Sequence, residues 1–105
     1  MAAIAVLTNL PDSDSAFNLA RAVVQLRLAA CANVLAPATS FYRWEGRVQK
    51  DEERLLLIKT RTDRFDELRT TLVELHPYEV PEVIALEVAA GHAPYLSWLD
   101  HSVAR

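Results

Sequence analysis

The order of apolar segments in this 105-residue chain predicts an α+β fold of the ferredoxin-like, split βαβ type. Four segments of strand length and two segments with apolar residues at helical spacing follow one another in the order β-α-β-β-α-β. A third helical segment comes last. This order predicts a single antiparallel sheet, with both connecting helices on one face, and a C-terminal helix. The length fits one domain that spans residues 1–105.

The first strand and first helix are indicated near the N-terminus. Residues 3–9 are an apolar run of strand length that ends before Pro11. Asp12 or Ser13 then predicts a helix start, because either side chain can accept hydrogen bonds from the first free backbone N–H groups. Apolar residues recur at steps of three and four, so we expect this helix to run to about Leu28.

The second and third strands are predicted to form a long hairpin. The apolar run 30–36 leads through Pro37 into an aromatic segment that ends at Trp44, and proline within a strand marks an edge or a bulge. Gly46 predicts the tight turn, because glycine adopts a positive φ without strain. A polar stretch then leads into a buried type of strand over 55–60.

The predicted hairpin is too long for a compact domain. A second strand over 32–44 spans about 43 Å at roughly 3.3 Å per residue, whereas a domain of this length is about 33 Å across. An aromatic-tipped, two-stranded arm is marginally stable alone and offers a free edge. We therefore expect Phe41, Tyr42 and Trp44 to be buried between subunits; the alternative is that they pack on their own sheet.

The remaining elements are a helix, a strand and a terminal helix. Thr62 or Asp63 is predicted to cap the second helix, and Pro77 to end it. Its apolar face carries Phe65, Leu68, Leu72 and Leu75. Residues 80–89 are predicted to form the fourth strand and 94–103 the terminal helix.

Composition narrows the possible partners and location. A net charge of -3 gives no basic surface of the kind that nucleic acid binding needs. The N-terminal segment lacks a positive region before its apolar residues, and no apolar run reaches the roughly 20 residues that span a bilayer. Cys31 is the single cysteine, so no intrachain disulfide can form. We expect a cytoplasmic protein that binds neither nucleic acid nor membranes.

No catalytic motif emerges. The three histidines lack HxH or HxxxH spacing and Cys31 lacks a CxxC partner, so a closed zinc site within one chain is unsupported. With two glycines, a glycine-rich phosphate loop is excluded. A Cys-His nucleophile pair stays open, although a lone cysteine in an apolar strand is more often inert. We expect no enzyme and no organic cofactor.

The stretch LHPYEVPE, residues 75–82, is the second unusual segment. In one interpretation the prolines end the helix and stiffen the loop while Tyr78 packs over the core. In the other they hold His76, Tyr78, Glu79 and Glu82 at a cleft.

Taken together, five motifs resemble the CutA family of divalent-cation tolerance proteins. They are LAACANV (28–34), FYRWEG (41–46), LLIKT (56–60), LHPYEVPEVIAL (75–86) and YLSWL (95–99). The resemblance covers nearly the whole chain in the right order. It implies a ferredoxin-like fold, a tight homotrimer whose hairpins pair across subunits, and a role in tolerance of copper and other divalent cations, without an accepted enzymatic reaction.

The resemblance also implies site residues. The metal ligands fall on Cys31 and His76. The family's polar cleft falls on Trp44, Lys59, Tyr78 and Glu82. Two functions follow: a cytoplasmic homotrimer that binds copper or another divalent cation, or a signalling or scaffold trimer that binds a small anionic ligand or a protein in an inter-subunit cleft. In the second, Lys59 supplies the positive charge and Trp44 a stacking surface. An enzyme that uses Glu82 or Tyr78 as acid or base is a remoter alternative.

Overall fold

The computed structural model describes residues 2–104. Its elements are β1 Ala3–Leu10, α1 Ser13–Gln25, β2 Cys31–Trp44, β3 Arg47–Arg61, a 3-10 turn Thr62–Arg64, α2 Phe65–Leu75, β4 Ile84–Glu87 and α3 Ala93–Ser102. The four strands form one antiparallel sheet in the order β2-β3-β1-β4. The predicted α+β fold, with its split βαβ order and C-terminal helix, is confirmed. Within residues 2–104, no helix is both long enough and apolar enough to cross a bilayer.

The main core lies between one face of the sheet and helices α1 and α2. In β1 every second side chain is buried, because strand side chains alternate between the two faces. The buried residues of this core include Ile4, Val6, Leu10, Leu56 and Ile58 from the sheet, Ala16, Leu19, Ala20 and Val23 from α1, and Leu68 and Leu72 from α2. Both connecting helices therefore cover the same face, as predicted. We call the opposite side of the sheet the open face.

Helix α1 starts as predicted but ends earlier. The Asp12 carboxylate accepts a hydrogen bond from the backbone N–H of Ser15 (2.8 Å), which confirms Asp12 as the N-cap. The helix ends at Gln25, not near Leu28. Arg27 has a φ of 60°, and the backbone N–H of Leu28 donates to the carbonyl of Val23 (3.0 Å). This is a Schellman ending, which satisfies the last carbonyls while the chain turns back to the sheet.

The predicted cap of the second helix is wrong. Residues 62–64 form a 3-10 turn, and α2 begins at Phe65 without a side-chain cap hydrogen bond. The Thr62 hydroxyl donates to the carbonyl of Ala2 (3.0 Å), and the Asp63 carboxylate accepts from the guanidinium of Arg61 (2.8 Å). The helix ends at Leu75, next to His76, as Pro77 predicted.

The fourth strand is shorter than predicted, and α3 has an unexpected position. Only Ile84–Glu87 pair with β1, so most of the predicted strand 80–89 is loop. Helix α3 packs through Leu99 and Val103 against Ala3. Ile4 points into the core, so the side chain of the neighbouring Ala3 points to the open face. Helix α3 therefore covers one end of the open face. Part of this face is thus covered by a helix of the same chain.

The long hairpin is confirmed. Its turn has a φ of 51° at Glu45 and 78° at Gly46, as in a type I′ turn. Strand β1 ends its pairing with β3 at Arg54, so residues 37–53, which we call the arm, extend beyond the core. The molecule is 44 Å long and 25 Å across.

Candidate functional site

A cleft of about 700 Å³ lies between the arm and the loop from α2 to β4. Its lining residues are Asn9, Ser40, Phe41, Tyr42, Trp44, Glu53, Pro77, Tyr78, Glu79, Val80 and Glu82. The cleft therefore joins segments that are far apart in sequence.

A β-bulge decides which arm residues reach the cleft. Val34 pairs with Leu56, but the next pair is Pro37 with Arg54, so β2 contains one extra residue there. Pro37 was predicted to mark an edge or a bulge, and it lies beside a bulge in the edge strand β2. Successive strand side chains alternate between the two faces of a sheet. One extra residue therefore moves every later side chain of β2 to the opposite face. Trp44 therefore lies on the same side as Glu53.

The loop is fixed to the arm by Tyr78. Its hydroxyl donates to the Glu53 carboxylate (2.7 Å). The neighbouring His76 is buried, its Nδ1 accepts from the backbone N–H of Tyr78 (3.1 Å), and the two ring centroids are 4.9 Å apart. Both interpretations of this loop hold in part, since it is stiffened by packing and it also forms a cleft wall.

The charges around the loop follow from its burial. Burial, then the hydrogen bond to Glu53, raises the pKa of the Tyr78 hydroxyl above its ordinary value. Burial lowers the pKa of His76, and the backbone of Asn9 and the charge of Glu53 partly oppose this shift. Both shifts favour the neutral forms of these two side chains at pH 7.

A second tyrosine–carboxylate pair lies further out on the arm. The Tyr42 hydroxyl donates to the Asp51 carboxylate, and this bond raises the pKa of Tyr42. The two residues are cross-strand neighbours on the cleft side, since Asp51 pairs with Ser40.

The structure brings together three of the four predicted cleft residues. Trp44, Tyr78 and Glu82 line the cleft, and Lys59 does not. Lys59 pairs with Cys31 on the open face. It lies six residues from Glu53 on β3, which is about 20 Å along the strand.

The two predicted metal ligands are not neighbours within the chain. Cys31 is level with Ala5 across the sheet, whereas His76 contacts the backbone of Asn9, about 13 Å further along β1. The thiol of Cys31 contacts the side-chain oxygen of Asn33 (3.5 Å). Residues 2–104 contain no group of three or more His, Cys, Asp or Glu side chains arranged to hold a metal ion. A site that uses both ligands would need more than one subunit.

Sequence reasoning missed the carboxylates of the arm. Glu53 is 7% exposed although it lies in the charged run DEER. The alternation of strand side chains could have indicated this position, because Glu53, Leu55 and Leu57 lie on the same face of the strand. Nothing in the sequence pairs it with Tyr78, which is 25 residues away.

Comparison with known proteins places the whole domain in one family. The profile of the CutA1 divalent ion tolerance protein matches residues 4–102. This chain belongs to the CutA1 family. The divalent-cation tolerance protein CutA of Thermus thermophilus is 48% identical over 94 residues, which are 90% of this chain and 91% of that protein. The resemblance found in the sequence is therefore confirmed.

Solved CutA structures share the fold. CutA1 from Oryza sativa matches with a TM-score of 0.96 at 40% identity, covering 99% of this chain and 95% of that one. A CutA from Archaeoglobus fulgidus, described as a periplasmic divalent cation tolerance protein, matches with a TM-score of 0.94 at 29% identity, covering 97% and 99%.

Proposed function

We propose that this CutA1-family chain acts in divalent-cation tolerance as a cytoplasmic homotrimer that binds copper and catalyses no reaction. The family match over residues 4–102 carries the proposal. The names of its relatives refer to divalent cations in general. Copper is our choice because thiolate and imidazole ligands together suit Cu(I).

The arm supports assembly into a trimer. Phe41 is 68% exposed and Trp44 41% exposed in the single chain, so their own sheet does not cover them. Among residues 2–104, no third strand pairs with the arm. Pairing with other subunits would cover these aromatic rings and the free strand edges. An interface of this kind buries more than about 2,000 Å², as in obligate assemblies.

Metal binding in this proposal requires donors from different subunits. Cys31 lies on the open face of the edge strand β2, and His76 is buried beside Tyr78, so one chain supplies each donor to a different place. Two ligands hold copper weakly unless symmetry adds others. A trimer would supply three copies of each.

Native mass spectrometry tests the assembly and the metal together. The protein is titrated with substoichiometric Cu(I) under reducing conditions and with Cu(II) without reductant. Variants Cys31→Ala and His76→Gln are compared with His92→Gln, a control at an exposed histidine before α3. We expect a trimer that holds copper in a fixed ratio, lost in the first two variants and kept in the control.

Other outcomes would change the proposal. Diffuse copper uptake that is equal in all variants would overturn the roles of Cys31 and His76. A monomer at micromolar concentration would overturn the trimer. Recovery of the native protein in a periplasmic or membrane fraction would overturn the cytoplasmic location.

The cleft favours a second candidate function, a signalling or scaffold trimer that binds a small molecule or a protein there. Its volume and its mixed aromatic and polar walls are typical of ligand sites. An anionic ligand held by Lys59 would need this lysine from a neighbouring subunit. Lys59→Met is expected to weaken such a ligand and leave copper binding unchanged; equal ligand affinity in both proteins would exclude the lysine.

A further inference from the structure

We infer that one side of each arm lies in the cleft of the next subunit, so that the trimer closes head to tail. This inference rests on the trimer proposed above, and it names the two surfaces that meet in it. It favours that trimer over the ligand-binding alternative, because an arm in the cleft leaves less space for a ligand. The two sides of the arm differ in a way that points to this contact.

The two sides of the arm follow from the pairing of its strands. Phe41 pairs with Lys50, and Arg43 pairs with Val48. Residues that pair directly lie on the same face of a hairpin, and these four positions alternate with Trp44, which lines the cleft. We call the side on which they lie the back of the arm. It consists of Thr39, Phe41, Arg43, Val48, Lys50 and Glu52.

The back of the arm is exposed in the single chain and has an apolar centre. All six of its residues are exposed. Phe41 also contributes to the lining of the cleft, but it is 68% exposed, and Val48 is 66% exposed. Two neighbouring apolar side chains with this exposure are stabilised by burial against another apolar surface.

The cleft offers an apolar surface for this contact. Val80 and Trp44 line the cleft, and in the single chain they are 67% and 41% exposed. A second copy of the chain would therefore cover apolar side chains on both of its contact surfaces.

The charges of the two surfaces are complementary. The cleft is lined by the carboxylates of Glu53, Glu79 and Glu82, and among residues 2–104 its lining includes no Lys, Arg or His. Arg47 pairs with Trp44 on the cleft side of the tip but lies outside this lining.

The back of the arm carries the opposite charge. Arg43 and Lys50 flank its apolar centre, and Glu52 is its single carboxylate. A positive surface that approaches three carboxylates is attracted to them, whereas a second acidic cleft would be repelled.

This complementarity explains why the assembly is cyclic. The back and the cleft lie on opposite sides of the arm, so one two-fold contact cannot use both at once. In a ring, each subunit gives its back to one neighbour and its cleft to the other. Every back and every cleft is then covered when the ring closes.

Zero-length cross-linking tests the contact in the unmodified protein. Lys50 and Lys59 are the two lysines of the sequence, and a carbodiimide joins an amine to a carboxylate in contact with it. Protein labelled with heavy nitrogen is mixed with unlabelled protein, and the two are unfolded and refolded together. We expect covalent dimers and trimers, in which peptides of different isotope content are linked from Lys50 to Glu79 or Glu82.

Charge-removing variants locate the contact. The double variant Glu79→Gln/Glu82→Gln should lose this cross-link and weaken subunit association about two- to fivefold per contact. The matched double variant Glu74→Gln/Glu87→Gln removes the same charge from exposed positions outside the cleft lining and should change neither. Sedimentation measures association, and circular dichroism checks that each variant is folded.

A charge exchange separates contact from general repulsion. Lys50→Glu alone and Glu82→Lys alone are each expected to weaken association by a similar factor. The combined variant restores opposite charges across the contact and should recover most of the association. A combined variant that is weaker than both single variants would overturn the contact between Lys50 and the cleft.

The outcomes separate this inference from the proposed trimer. A trimer in which Lys50 forms no link to Glu79 or Glu82, or in which Lys59 forms that link instead, would overturn this inference and leave the trimer in place. A monomer or a two-fold dimer at micromolar concentration would overturn both. An equal loss of association in the two double variants would overturn the cleft as the place of the contact.

Discussion

The two halves of strand β3 differ although they share one continuous backbone. From Glu53 to Arg61 no residue is exposed, and Leu56 and Ile58 are completely buried against α1 and α2. From Arg47 to Glu52 nearly every residue is exposed. The inner half is stabilised by its own core, whereas the outer half has only β2 beside it.

This difference shows that a regular strand is not necessarily stabilised by its own chain. The two strands are paired along the hairpin except at the bulge between Val34 and Pro37, but a two-stranded hairpin is marginally stable in water without a hydrophobic face to cover. The outer half therefore depends on contacts outside the single chain, and the cleft forms where the two halves meet at Glu53.

The largest effect is expected from the inner half. Ile58→Ala should lower the free energy of unfolding by about 2 to 5 kcal/mol, because it removes buried methyl groups and leaves a cavity. Urea denaturation measures this change. Val48→Ala in the outer half is the matched variant, since Val48 is 66% exposed in the chain. A loss as large as that of Ile58→Ala would show that Val48 is buried in the assembly.

A smaller effect is expected from the exposed tip. Phe41→Asp should weaken subunit association by about 2 kcal/mol per subunit, the value of one buried aromatic side chain. Sedimentation and the concentration dependence of the unfolding midpoint measure it.

Val73→Asp, at an exposed position of α2, is the control for a surface charge at the tip. Identical sedimentation of wild type and Phe41→Asp at all concentrations would contradict the role of the arm in assembly.

The two tyrosine–carboxylate pairs allow a direct comparison of the inner and outer halves of β3. Tyr78→Phe should destabilise the fold by about 1 kcal/mol, because it leaves the buried Glu53 carboxylate without this donor. Tyr42→Phe removes the corresponding bond to Asp51 in the solvated outer half, and a smaller loss is expected. Thermal unfolding of both variants measures the difference, and the reverse order would contradict the contrast between the halves.

The last effect is a dependence on pH. The folded protein has a His76 pKa below the ordinary 6.5, so the unfolded chain binds more protons between the two values. Stability is therefore fully present above about pH 7 and declines as the pH falls through 6.5, by at most about 1.4 kcal/mol per pH unit.

Urea denaturation between pH 5 and 8 measures this decline. His76→Gln should remove this part of the slope, and the exposed His92→Gln should keep it. An unchanged slope in His76→Gln would assign the decline to other groups.

Much of the fold could be predicted from local patterns. The cap at Asp12, the turn at Gly46 and the bulge at Pro37 each depend on the chemistry of one residue, and each is confirmed. Predictions of where a helix or strand ends were less accurate. The early end of α1 follows from the positive φ of Arg27, and β4 pairs with β1 over Ile84–Glu87, a shorter span than the predicted 80–89.

The candidate site was only partly predictable. Trp44, Tyr78 and Glu82 came from the family resemblance and do line one cleft. Glu53 was missed, and Tyr42 was expected at a subunit interface and not beside Asp51. A charged or aromatic residue in a strand has no local signal for the partner that it meets across the fold. The resemblance also placed Lys59 in the cleft, and the single chain places it about 20 Å from Glu53 along the same face of β3.

The sequence alone determines the order of the elements, because apolar spacing and turn residues act over a few positions at a time. Only the tertiary structure decides which side chains share the cleft. One extra residue in β2 reverses the faces of all later positions, and Tyr78 meets Glu53 only after the loop has folded back over the sheet. Both depend on contacts between distant segments, which no local pattern encodes.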